Sequence, residues 1–138
     1  TYLKEQFELP DGDVKSYSPL VLAYIGDGIY ELVIRTAVVG QGNRQANALH
    51  KKTSTYVKAS AQAAMMEAIL EDLTEEELAV YKRGRNAKTV SMAKHATMHD
   101  YRHATGFEAL MGYLYLTDQM KRMIDLIKIG MERTGGTP

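Results

Sequence analysis

Two acids in this chain stand where acids are expensive. Asp27 lies in "YIGDGIYELVI" (24–34), between two glycines and inside an apolar run from 18 to 39, and Glu108 lies in "TGFEALMGYLYL" (105–116). An unpaired carboxylate among apolar neighbours is costly unless a hydrogen bond or a cation compensates it. At helical spacing the neighbour four residues after Asp27 is another acid, Glu31, and the one four residues before is Ala23, so its own helix cannot neutralise it. Compensation must come from another element or from a bound cation, and the flanking glycines leave room for backbone or ligand. Glu31 and Arg35, by contrast, have the favourable order for an intrahelical ion pair. Glu108 has a structural use ready: Thr105-x-x-Glu108 fits a capping box, which would hold the glutamate on the Thr105 amide at a helix start.

Other chemistry is less defined. His95, His99 and His103 recur every four residues, a spacing that can aim imidazoles from one helix face at a transition metal, but the only other histidine, His50, is far away in sequence. No P-loop, nucleophile elbow or cysteine–histidine pair is present. Between Glu31 and Glu67 stand Arg35, Arg44, Lys51, Lys52 and Lys58 without an acid, and "YKRGRNAK" (81–88) adds Lys82, Arg83, Arg85 and Lys88. Such runs make either a polyanion surface or a solvated helix face.

The elements that must position these residues read as helices. Apolar positions recur at threes and fours, only 3 prolines occur, and no turn dipeptide separates alternating segments. Ser18-Pro19 opens a helix that Gly40 closes, and "GQGNRQ" follows as a loop. Further helices are expected over 43–52, 55–71, 75–83, 87–99, 105–116 and 118–133, with Thr74-x-x-Glu77 as a second capping box and Gly135 beyond the last end. The helix from 19 to 39 is apolar nearly all round, with Asp27, Glu31 and Arg35 as its polar stripe, which implies burial on several sides and a partner subunit on one of them. The eight methionines and nine tyrosines fall mostly on apolar helical positions and are expected in the core.

Length and composition bound the rest. A chain of 138 residues, 45% hydrophobic and 25% charged with zero net charge, fits one globular domain. It lacks cysteine, which excludes disulfides and thiolate metal sites. No apolar run is both long and uncharged enough to span a bilayer, and the N-terminus lacks the form of an export signal, so a cytoplasmic protein is expected.

Taken together, "YIGDGIYELVI" resembles the signature helix of the ribonuclease III family, and "TGFEALMGYLYL" resembles that family's second carboxylate helix, with a small residue one turn after the glutamate. The two occur in family order. "YKRGRNAK" and "YRHATGFEALMGYLYL" make the match similar to the short branch, Mini-ribonuclease III, which is a catalytic domain without an appended double-stranded-RNA-binding domain. The resemblance implies an all-α, homodimeric endonuclease of double-stranded RNA that depends on magnesium, with manganese able to replace it. It implies trimming of the terminal stems of precursor large-subunit (23S) ribosomal RNA; a ribosomal protein that presents the RNA is an expected further partner.

Position by position, Asp27 matches the signature aspartate and Glu108 the glutamate of the second helix, both metal ligands in the family. Glu31 matches another family acid and is expected to support the ligands without touching the ion. Where the long enzymes have two further acids, this chain has Ala23 and Thr105. Arg83, Arg85, Asn86 and Lys88, read as a glycine-containing turn, are the expected phosphate contacts, with Lys51, Lys52 and Arg102 beside them. Two rival readings stay open: a ribonuclease III-like module that binds RNA without cutting it, and a helical metal-binding protein built on the three histidines.

Overall fold

A computed structural model describes residues 2–7, 12–87 and 97–138, and among these the chain forms helices and no strands. The helices are α1 (Tyr2–Gln6), α2 (Pro19–Val39), α3 (Ala46–Val57), α4 (Ala59–Ile69), α5 (Glu75–Arg85), α6 (Met98–Leu116) and α7 (Met120–Thr134), with short 3-10 turns at Val14–Ser16 and Leu70–Asp72.

The start of α2 is built as its sequence requires. Ser18 accepts a hydrogen bond from the Leu20 amide at 3.2 Å, and Pro19 occupies the first turn, where its missing N–H costs nothing. At α5 the capping box is complete: the Glu77 amide donates to Thr74 Oγ1 at 3.2 Å and the Thr74 amide to Glu77 Oε1 at 2.8 Å. Glu77 also receives the Arg122 guanidinium from α7 at 2.9 Å on each carboxylate oxygen, so one buried acid both caps α5 and ties α7 to it. Gly135, at φ 131°, ends α7 in a conformation that side chains disfavour.

Two boundaries differ from expectation. The helix carrying Glu108 starts a full two turns earlier, where Thr97 Oγ1 caps the Asp100 amide at 3.0 Å. Thr105 is therefore an interior residue whose hydroxyl donates to the Tyr101 carbonyl at 2.9 Å, and the second capping box does not form. The expected helix over 87–99 falls mostly outside the described residues. The break between α3 and α4 lies at Lys58, extended at ψ 155°, and is held by buried side chains: Tyr30 Oη donates to the Tyr56 carbonyl at 3.2 Å and Gln62 Nε2 to the Val57 carbonyl at 2.8 Å.

The surrounded helix is α6 rather than α2. From Ala104 to Leu114 every α6 residue except Glu108 is buried, against α2, α4 and α5, with α7 across one end. Tyr30 meets Phe107 edge-on at 4.9 Å, and Met65, Met66, Met111, Met123 and Met131 fill the space around them. Only one side of α2 is buried; Val21, Tyr24 (82% exposed), Leu32 and Val39 stand on its open side.

Two glycine crossings set how close α6 comes to its neighbours. A Cβ at Gly26 would fall on the Glu108 carbonyl, and one at Gly112 on the Leu22 carbonyl, so α2 and α6 touch backbone to backbone. On the other flank Gly84 faces the Gly106 Cα at 2.9 Å, measured from the Cβ position, which brings α5 equally close and places Gly84 inside a helix rather than on a turn.

Such contact tolerates no added carbon, and the obstruction is backbone, which cannot rotate away. Gly26→Ala gains helix propensity of about 1 kcal/mol but overpacks the crossing, so we expect a net loss of about 3 kcal/mol or more in denaturant unfolding. A loss below about 1 kcal/mol would contradict the crossing.

Candidate active site

The α2–α6 crossing places the two acids. Because Gly26 rests against the Glu108 backbone, its neighbour Asp27 stands near Glu108, close enough for each acid to act on the other's charge. Glu108 is half-buried; Asp27 is exposed. The expectation that Asp27 sits in a buried environment is thus corrected: the apolar run around it faces inward only on the other side of α2. Gly28 has open space where a Cβ would be, which leaves the approach to Asp27 clear.

The electrostatics follow from the pairing. Burial first, then the negative charge of Asp27 and the hydrogen bond with it, push the Glu108 carboxyl up to about 8, while the Gln62 amide pulls it back. Among the described residues no lysine or arginine pairs with either acid. Two carboxyl groups held together without a basic partner are a donor set that a hard divalent cation fits, the cation displacing the Glu108 proton. Among the described residues no third acid, histidine or cysteine joins them into a larger cluster. Ala23 and Thr105 are both buried, and the Thr105 hydroxyl is taken by Tyr101.

The other expected residues have separate places. Glu31 is held by Arg35 at 3.0 Å, the ion pair that their spacing calls for. Arg83 bridges back to the loop before α2, donating to the carbonyls of Lys15 at 2.7 Å and Tyr17 at 3.1 Å. Arg85 lies over the Tyr81 ring at 5.5 Å and bonds Asn86 Oδ1 at 3.2 Å. Arg85, Asn86 and Arg102 line one cleft of about 320 Å³ together with Met98, His99 and His103. His99 and His103 stack at 4.1 Å, and His103 Nδ1 is 2.6 Å from Tyr81 Oη. Burial, then the neighbouring His99 and Arg85 charges, lower the His103 pKa. Lys51 and Lys52 lie on α3. Lys88 and His95 lie outside the described residues.

Gln62 is the polar residue that the sequence did not single out. It sits in "SAQAAMM", 2% exposed, on the α4 stripe with Met66 and Ile69. A polar side chain four and seven residues from buried apolar ones was the available signal.

The all-helical fold has counterparts among known proteins. The ribonuclease III domain family matches residues 20–119, and the chain belongs to that family of endoribonucleases. Its relatives are of the short form. Mini-ribonuclease 3 of Enterococcus faecalis is 50% identical over 127 residues, 91% of this chain and 96% of its own length. Mini-ribonuclease 3 of Streptococcus pneumoniae is 39% identical over 126 residues, 90% and 98% of the two lengths. A crystal structure of a protein from Fusobacterium nucleatum superposes with a TM-score of 0.79 at 32% identity, covering 90% of this chain and 99% of that one.

The raised Glu108 pKa carries a stability consequence. In the metal-free fold Glu108 keeps its proton up to about 8, against 4.5 for an unperturbed glutamate, so unfolding releases a proton between those limits and stability falls as pH rises through them. Glu108→Gln removes this loss. Relative to wild type, the metal-free variant should gain stability on the order of a few kcal/mol between pH 5 and 8, read from paired thermal or denaturant melts. A constant difference across that range would refute the assignment.

Proposed function

We propose that this protein is a divalent-metal-dependent endoribonuclease of double-stranded RNA, in which Asp27 and Glu108 hold magnesium, or manganese in its place, at the scissile phosphate. The observation that carries the reading is the Gly26 crossing, which brings Asp27 and Glu108 together with no lysine or arginine paired to either among the described residues. Magnesium keeps several of its waters, so two protein carboxylates plus a phosphate oxygen are sufficient to seat it. Bound there, it would lower the pKa of a water and neutralise charge building on the phosphate. Asp27 offers its oxygens from the open side of α2, and Glu108, less solvated, fixes the other edge of the site from α6. Glu31, already committed to Arg35, supports the local charge balance from one turn away.

Recognition in this reading is by duplex shape, since A-form RNA offers phosphates and 2′-hydroxyls rather than readable base edges. The cleft of Arg85, Asn86 and Arg102 is the proposed phosphate surface, and Lys51, Lys52 and Lys88 are proposed as further phosphate contacts. Arg83 adds positive potential while it holds the loop. Binding should therefore weaken steeply with salt. The exposed seam of Val21, Tyr24, Leu32 and Val39 is the proposed homodimer face, setting two sites to cut both strands. The substrate we propose is the terminal stem of precursor 23S ribosomal RNA in the cytoplasm, with a ribosomal protein presenting it.

One observation favours a second reading, in which the protein binds RNA without cutting it: only two acids meet where the long enzymes have four. A duplex cleavage assay with magnesium separates the two. Wild type should cut, while Asp27→Asn and Glu108→Gln should each lose more than roughly a hundredfold in rate, beyond the cost of a metal's outer partners, and still bind duplex. Intact RNA with wild type would favour the binding module; cleavage by Asp27→Asn would refute the site. For the dimer, Leu32→Asp should sediment as a monomer where wild type sediments as a dimer, and a monomeric wild type would end that proposal.

A further inference from the structure

Gln62 ties the α3–α4 break through Val57, yet its side chain holds a polar atom that this bond does not use. Its side chain is buried from α4, one N–H of Nε2 donates to the Val57 carbonyl at 2.8 Å, and the amide also interacts with Glu108. Its Oε1 is buried with no hydrogen-bond partner. Among the described residues it is the only buried side-chain polar atom left so. A core position that needed volume alone would be filled more stably by methionine or leucine, as the neighbouring Met65, Met66 and Ile69 are.

We propose that Gln62 is a positioning residue for the metal site: its amide, anchored on Val57, orients the Glu108 carboxylate toward Asp27, and its free oxygen is kept for a donor that arrives with the hydrated cation. The proposal rests on the metal-dependent reading above. Among the described residues Glu108 has no basic side chain to fix it and a second acid facing it, so an uncharged donor is the group that can hold it in place without competing with the cation. A hydrated divalent ion brings the polarised O–H groups that a partnerless buried acceptor lacks in the free protein. The neutral amide also makes up in part for the acids absent at Ala23 and Thr105. It does so from α4, an element that carries neither ligand.

The test is Mn2+ binding to RNA-free protein by electron paramagnetic resonance, on wild type, Gln62→Met, Glu108→Gln and the double variant. Gln62→Met should weaken Mn2+ binding about tenfold or more, and raise the Mg2+ needed for half-maximal cleavage similarly. The lost Val57 hydrogen bond should lower the melting temperature modestly while the KM for duplex stays near wild type; a merely structural role would lower stability and leave the Mn2+ affinity of the folded protein unchanged. The effect should disappear in the Glu108→Gln background. Equal Mn2+ binding by wild type and Gln62→Met overturns this inference alone; a wild type that takes up no Mn2+ overturns the metal reading and this inference with it. Should Gln62→Met fail to fold, the side-chain amide resonances of Gln62 in the wild type decide the matter. They should shift on Mg2+ addition, and unmoved signals overturn the proposal.

Discussion

The site depends on one contact, that of the α2 backbone with the α6 backbone at Gly26, Leu22, Glu108 and Gly112. Helices normally keep apart by the length of their side chains, about 8–10 Å between axes. Removing the side chain at the crossing from both partners lets the peptide groups themselves meet, and a residue next to the crossing on one helix is then forced beside a residue at the crossing on the other. Asp27 and Glu108 are those residues. Their proximity is held at the cost of ionising Glu108, by packing energy collected elsewhere along α6, from Phe107, Leu110, Met111 and Leu114.

The fold handles its acids in two opposite ways. Glu77 is buried as deeply as a core residue and is surrounded by donors, the Thr74 amide and the Arg122 guanidinium; the Arg122 hydrogen bonds hold its carboxyl below the usual range. It is an anchor that has no capacity left for anything else. Glu108 is left facing another acid and is pushed the other way. The contrast marks Glu108 rather than Glu77 as the carboxylate left available to a ligand, although burial alone would have ranked Glu77 first.

Much of this was legible in the chain. Ser18-Pro19, Thr74-x-x-Glu77 and the Glu31–Arg35 spacing are local patterns whose partners lie within one turn, and each forms as read. The Asp27 segment stood out because glycines flank an acid in an apolar run, whereas Glu108 read as a capping residue by itself and became a candidate ligand only through the family resemblance. What failed had non-local causes. Thr105-x-x-Glu108 looks like a helix start, but the helix nucleates at Thr97 and runs through it. The break at Lys58 carries no glycine or proline; it is imposed by Tyr30 from α2 and by Gln62. Arg83 reads as a free cation in sequence, whereas it holds carbonyls 66 and 68 residues away. The apolar run of α2 does not say which side faces inward, and so it concealed that Asp27 is open to solvent.

The core beneath the crossing is rich in thioethers: Met65, Met66, Met111, Met123 and Met131. Unbranched and pliable, such side chains accommodate changes in neighbouring volume by changing rotamer instead of shifting a helix. The distance between the acids is fixed by peptide groups, while the interior below it is free to drift. A lineage can therefore retune its thermal tolerance by exchanging methionines for stiffer hydrocarbons, and the geometry on which the chemistry relies is insulated from that exchange.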